Sequence, residues 1–146
     1  MRRAFFSFKY YPDFSRAMIV RNSWVTQKRQ ASGFIDAIDF EEIEQQGDAG
    51  IQEWIDDQLI GTSVIVVLVG SETCSSRWVQ YEIDQGIAHG KGLLGIDISK
   101  IKDLNGETTE PCRQIPDGYP FYFWNEDDGY NNMGEWIEAA AKAAGR

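Results

Sequence analysis

Apolar residues along this chain gather in short runs, and longer amphipathic stretches separate them. AFFSF, residues 4–8, reads as a strand. Tyr11-Pro12-Asp13 then opens a helix, with Pro12 suited to its first turn. Phe14, Ala17, Met18 and Val25 fall on one stripe of that helix, and Arg21 sits in the middle of the stripe. SGFID, 32–36, predicts a short second strand, and the acidic stretch 37–49 a loop with at most a helical turn. Asp48 is placed to cap the next helix, where Ile51, Trp54, Ile55 and Leu59 keep helical spacing. Val64 to Val69 is continuously apolar and mostly β-branched, as strands covered on both faces are. A helix over 76–89 and a strand over 92–99 follow. A Lys-, Asp-, Gly- and Pro-rich connection spans 100–120, with a turn at Asn105-Gly106. FYFW, 121–124, predicts a fifth strand, and Met133, Trp136, Ile137, Ala140, Ala141 and Ala144 a closing amphipathic helix.

Strand and helix in alternation predict an α/β fold, a three-layer sandwich with a central parallel sheet of about five strands and helices on both faces. Five strands suit the flavodoxin-like order 2-1-3-4-5, in which a ligand crevice opens at the carboxyl ends of the first and third strands. The loops at that crevice are residues 7–12 and 70–77. The length, 146 residues, is that of one domain, and residues 1–146 are read as such. Apolar residues at 42% and aromatic residues at 13% are enough for a core.

Charge and rare residues narrow the chemistry. A net charge of −9 argues against nucleic-acid or anionic-membrane partners, which need basic patches. No run of about 18 apolar residues is present, so no bilayer-spanning segment is expected, and the N-terminus is no signal peptide. Cys74 and Cys112, the only cysteines, match no zinc spacing and are read as free thiols in a cytoplasmic protein. With His89 the only histidine, a histidine metal site or a catalytic triad is not expected. The GxGxxG fingerprint is absent, and Lys9 and Tyr10 stand where a receiver domain would place an acidic pair.

One acid remains to be explained. On a wheel of about 100° per residue, Val79, Ile83, Gly86 and Ile87 form the buried stripe of the third predicted helix, and Glu82 lies on its shoulder between Trp78 and Gly86. A carboxylate beside an indole is partly desolvated, which raises its pKa. The plainer reading is an edge glutamate that is solvated or paired with a lysine.

AFFSF, VIVVLVGS and SRWVQYEI together resemble the TIR domain family, whose enzymatic members carry a serine, a tryptophan and, four residues on, a catalytic glutamate. Those positions are Ser76, Trp78 and Glu82. FFSF followed by VRNSW (Val20 to Trp24), VVLVGS and RWVQYEI is similar to the TIR-like proteins of the Thoeris antiphage defence system, over about residues 4–100. The resemblance implies a TIR-type fold and cleavage of NAD at the nicotinamide–ribose bond, with Glu82 catalytic. It also implies a cyclic ADP-ribose-type product read by a separate effector, and possible homo-oligomers through TIR–TIR contacts. NAD would be the substrate, with no cofactor. A noncatalytic TIR-like interaction or nucleotide-sensing module is the alternative.

That chemistry suits a chain with one histidine. Nicotinamide leaves as a neutral molecule, so no general acid is needed, and one carboxylate near an oxocarbenium-like ribose is enough. Phe6, Phe8, Tyr10, Tyr11 and Trp78 are candidate walls for the substrate. Ser7 and Ser71 could meet a pyrophosphate or simply cap turns. Arg21 needs a partner, with Asp36 at the end of the second strand favoured over the ligand's phosphates. Asn22 could orient a loop. The acidic 39–44 stretch is a solvated loop that could gate the crevice.

Overall fold

A computed structural model describes residues 3–27, 30–33, 37–113 and 115–146. Five strands pair in parallel: β1 (Arg3–Ser7), β2 (Gln30–Ser32), β3 (Val64–Val69), β4 (Gly92–Asp97) and β5 (Phe121–Phe123), in the order β2-β1-β3-β4-β5. The helices are α1 (Tyr10–Val25), α2 (Ala37–Gln45), α3 (Gly47–Leu59), α4 (Arg77–Ala88) and α5 (Gly129–Ala143), and a short 3-10 turn, Thr73–Ser75, precedes α4. The flavodoxin-like order expected from the sequence is the one observed.

Every residue of β3 is buried, as befits the central strand. Side chains alternate across the pleat, so successive residues of one strand feed two different cores. Ala4, Phe6, Val66, Leu68, Leu94 and Ile96 face α1 and α5, where Ala17, Val20, Trp24, Met133 and Ile137 meet them. Phe5, Ile65, Val67, Val69 and Leu93 face the other way, onto Ile55 and Leu59 of α3 and Val79 and Ile83 of α4. The result is the three-layer sandwich. Each fully buried aliphatic side chain contributes about 1.5–3 kcal/mol relative to exposure.

Three local expectations change. Residues 37–59 form two consecutive helices, α2 and α3, where a loop and one helix were expected. Gly47, at φ +78°, makes the break between them. Asp48 is therefore not the cap but a first-turn residue of α3. The buried face of α1 is Asp13, Arg16, Ala17, Val20, Ser23 and Trp24, whereas Phe14, Met18, Arg21 and Val25 are half-buried. The apolar stripe was misplaced because two charged residues of this helix are inside. Finally, Cys74 and Cys112 are joined in a disulfide, with Cα atoms 5.3 Å apart, and are not free thiols. They follow β3 and β4, adjacent strands, so the fold brings together residues 38 positions apart. Asp36, the expected partner of Arg21, lies outside the described residues.

The approach of α4 to the sheet depends on Gly86. A Cβ there would stand 2.5 Å from Ile65 Cγ1, in the middle of a fully buried side chain. Gly86→Ala is expected to lower unfolding free energy by about 1–3 kcal/mol, the cost of overpacking, as read from the midpoint of urea denaturation.

Candidate active site

Above the carboxyl ends of β1 and β3, where the strand order reverses, lies a cleft of about 660 Å³ counting its open mouth. Phe6, Phe8, Lys9, Tyr10 and Tyr11 line it from β1 and the start of α1. Ser76, Trp78 and Glu82 line it from the α4 side, and Ile51, Trp54 and Ile55 from α3. Gly33 and Glu44 complete the lining. Gly33 has φ +90° and lies so close to the Phe6 carbonyl that a side chain would collide with it.

Ser76 fixes the start of α4. Its hydroxyl accepts a hydrogen bond from the Val79 backbone N–H at 3.2 Å, so it is the N-cap. Glu82 follows within the second turn. The glutamate is 6% exposed, and its Oε2 has no hydrogen-bond partner within the described residues. Burial pushes the Glu82 carboxyl up to about 8, while the Ser7 hydroxyl beside it works in the opposite direction. Ser7 is fully buried and shares a sheet face with Phe5, the face that α4 covers. The two residues meet because α4 packs on β1 as well as on β3.

The walls are largely aromatic. Phe8 and Tyr10 stack with centroids 6.1 Å apart, and Tyr11 meets Tyr10 edge-on at 5.4 Å. Trp78 lies edge-on to Tyr81 at 5.9 Å, with the Arg77 guanidinium 4.8 Å over its ring. Two contacts tie α3 to α4 and so set the Trp54 wall relative to Trp78. Tyr81 Oη donates to Asp56 Oδ1 at 2.7 Å, and Arg77 makes a forked pair with Asp48 at 2.7 and 3.0 Å. The Arg77–Asp48 pair is exposed and contributes about 1 kcal/mol at most. Tyr11 Oη donates to Glu44 Oε1 at 2.7 Å, joining α1 to α2 at the cleft. That bond to Glu44 is the main reason the Tyr11 hydroxyl is pushed up to about 12.

The structure brings most of the residues singled out from the sequence to one place. Phe6, Phe8, Tyr10, Tyr11, Trp78 and Glu82 line the cleft and Ser7 supports its floor. Ser71 and Asn22 are exposed and Arg21 is half-buried, and none of the three is among the described lining residues. Asp36 lies outside the described residues. The lining residues the sequence did not reveal are Lys9, Gly33, Glu44, Ile51, Trp54 and Ile55. Ile51, Trp54 and Ile55 carried only a core signal, helical spacing of apolar residues. Glu44 belongs to the acidic stretch read as a possible gate. Among the described residues no cluster of three or more His, Cys, Asp or Glu could hold a metal. No described helix is long and apolar enough to cross a membrane.

The model of the family described as "Thoeris protein ThsB, TIR-like domain" matches residues 5–103, the part of the chain that builds β1 through β4 and the cleft. This chain belongs to that TIR-like family. A protein of Bacillus cereus (strain MSX-D12) that bears the name "Putative cyclic ADP-D-ribose synthase ThsB1" is 38% identical over 138 residues, covering 92% of this chain and 71% of the relative.

The buried carboxyl makes a prediction about the TIR-like fold's stability. Its folded pKa, about 8, lies above the unfolded value of 4.5, so between those pH values the unfolded chain holds fewer protons. The stability this group contributes is complete below pH 4.5 and is lost as pH rises through 8. Glu82→Gln cannot ionise. Its stability relative to wild type should grow as pH rises from 5 to 8, by up to about 1.4 kcal/mol per pH unit, measured by urea denaturation across that range.

Proposed function

We propose that this chain cleaves NAD at the nicotinamide–ribose bond and releases a cyclic ADP-ribose-type signal that activates a separate effector in antiphage defence. The single observation that carries this reading is Glu82: a buried carboxyl with one oxygen unsatisfied, facing an aromatic cleft at the switch point of the sheet. Membership in the ThsB family and the name borne by the Bacillus cereus relative support the choice of substrate and product. NAD acts as substrate and no cofactor is required. The chain's TIR-like domain would act in the cytoplasm, with TIR–TIR contacts for assembly.

The chemistry follows from the site. The pyridinium of NAD carries a positive charge, and bringing it beside Glu82 favours the ionised carboxylate, so binding releases a proton from the empty site's carboxylic acid. As the glycosidic bond lengthens, positive charge moves from the pyridinium to the ribose. The Glu82 carboxylate, fixed in a low-dielectric setting, stabilises that charge and can hold the ribose hydroxyls. Nicotinamide departs neutral and needs no proton. Aromatic walls formed by Phe8, Tyr10, Trp54 and Trp78 exclude water from the cation and offer stacking faces on which the adenine end folds back, conditions for cyclisation over hydrolysis. Lys9 is the one cationic side chain among the described lining residues, which supports a role for it in meeting the pyrophosphate.

Purified protein incubated with NAD, with nicotinamide and ADP-ribose products separated by chromatography, tests the reading. Wild type is expected to release nicotinamide, and Glu82→Gln to lose about 10²–10³ in kcat. The kcat/KM of wild type should rise with pH on a limb near 8, that of the free enzyme's carboxyl. Equal cleavage by both proteins would remove Glu82 from the catalytic role. Cleavage by neither, with phage-infected lysate added as trigger, would favour an interaction module.

A further inference from the structure

A second buried acid lies next to the crevice. Asp13, in the first turn of α1, is fully buried, and neither carboxylate oxygen has a hydrogen-bond partner among the described residues. Arg16, 4% exposed, stands one turn on with Nη1 3.8 Å from Asp13 Oδ1. The arginine spends its donors elsewhere: Nε donates to the Ile101 carbonyl at 2.7 Å and Nη2 to the Glu107 carbonyl at 2.9 Å. Asp103 Oδ2 lies 3.8 Å from Nη2, and its Oδ1 accepts the N–H groups of Asn105 and Glu107, both at 2.9 Å. Arg16 therefore staples the 101–107 turn, which leaves the carboxyl end of β4, to α1.

Asp13 meets a different segment. Its carboxylate lies directly against Gly70, where any Cβ would overlap it, at the carboxyl end of β3. Gly70 opens the loop to α4. Its N–H donates to Thr73 Oγ1 at 2.8 Å, and its carbonyl accepts from Cys112 N–H at 2.8 Å. The Cys74–Cys112 disulfide closes the same knot two residues before Ser76 caps α4. On its other side, Asp13 belongs to the helical turn that carries Tyr10 and Tyr11 into the cleft. One buried pair thus touches the segments that leave β1, β3 and β4 at the crevice end of the sheet.

This arrangement is costly for stability. Burial raises the Asp13 carboxyl to about 6, Arg16 opposes the rise and Glu72, on the β3–α4 loop, adds to it. A buried carboxylate without hydrogen bonds destabilises the fold, and an apolar residue of similar size would pack there at less cost. Groups of that kind persist where their geometry serves a site.

We propose that Asp13 and Arg16 are positioning residues, which hold the β3–α4 loop, and through it Glu82, in register with the Tyr10–Tyr11 wall. Its catalytic half rests on the NAD-cleaving reading above. Its structural half does not.

Asp13→Asn, close in shape and uncharged, is the variant to make. At pH 7.5 it should melt no lower than wild type, because it removes a destabilising charge. Amide hydrogen exchange should nevertheless quicken at residues 70–76 and 101–107, with the β3 and β4 core unchanged. With NAD as substrate, kcat should fall about 10–100-fold with little change in KM, the signature of a misplaced catalytic group. A lowered melting temperature with exchange raised evenly through the core would show Asp13 to be an ordinary stabilising residue and overturn the proposal. Unchanged exchange at 70–76 would do the same. Exchange is measured without NAD, so a protein that cleaves no NAD would sink the proposed reaction and leave the structural claim to be decided by exchange alone. Should Asp13→Asn fail to fold, Arg16→Lys is read by the same measurements, since it keeps the charge and loses the forked bonds to Ile101 and Glu107.

Discussion

The parallel pairing of β1 with β3 is the constraint on which the rest of this structure depends. Their register sets Ser7 opposite Val67 and Phe6 opposite Val66, with the following residues of each strand leaving toward opposite layers. β1 turns directly into α1 on one face of the sheet, and β3 turns through Gly70 into α4 on the other. The gap between those departures is the cleft. Phe6 and Phe8 line it from the β1 side, its walls come from α1, α3 and α4, and Glu82 reaches it because Gly86 allows α4 to lie against Ile65.

Packing of this quality lets the site hold a group that solvent would otherwise stabilise. Glu82 sits among Val79, Ile83 and the β1–β3 surface, where the loss of water raises its proton affinity far more than one serine hydroxyl lowers it. A carboxyl in that setting is poised to answer a cation. Water would screen the same charge if the group were exposed, and a fixed lysine or arginine would commit the carboxylate to a salt bridge. Neither applies among the described residues: Glu82 sits among apolar side chains and one hydroxyl. Asp13 repeats the theme a short way off, buried against a glycine, with Arg16 occupied by backbone carbonyls.

Much of the fold was legible in the chain. Val64 to Val69 reads as a doubly covered strand because every position is apolar, and β3 is buried along its whole length. The alternation of strand and helix led to the observed sheet order. Glu82 was legible as the acid nearest the core of its helix because Val79, Ile83 and Gly86 mark the inward face of α4, although Ile87, read as part of that stripe, is exposed. The helix α1 was harder. Its inward face contains Asp13 and Arg16, so a wheel drawn from apolar residues rotates away from the true one and places the anomaly at Arg21. The helix α2 was hidden by its acidic composition, and the pairing of Cys74 with Cys112 by their distance along the chain.

The sequence by itself determined the elements with strong periodicity, the parallel α/β class and the end of the sheet at which the cleft opens. Those follow from local rules: apolar spacing, capping residues and the handedness that crossovers obey. Tertiary structure alone decided which polar groups are inside, that Trp54 and Lys9 share a cleft with Glu82, and that two cysteines meet. Burial and proximity between distant segments are properties of the assembled sheet. A charged residue shows no mark of its burial in its own letter, because the desolvation it undergoes is set by neighbours that arrive from elsewhere in the chain.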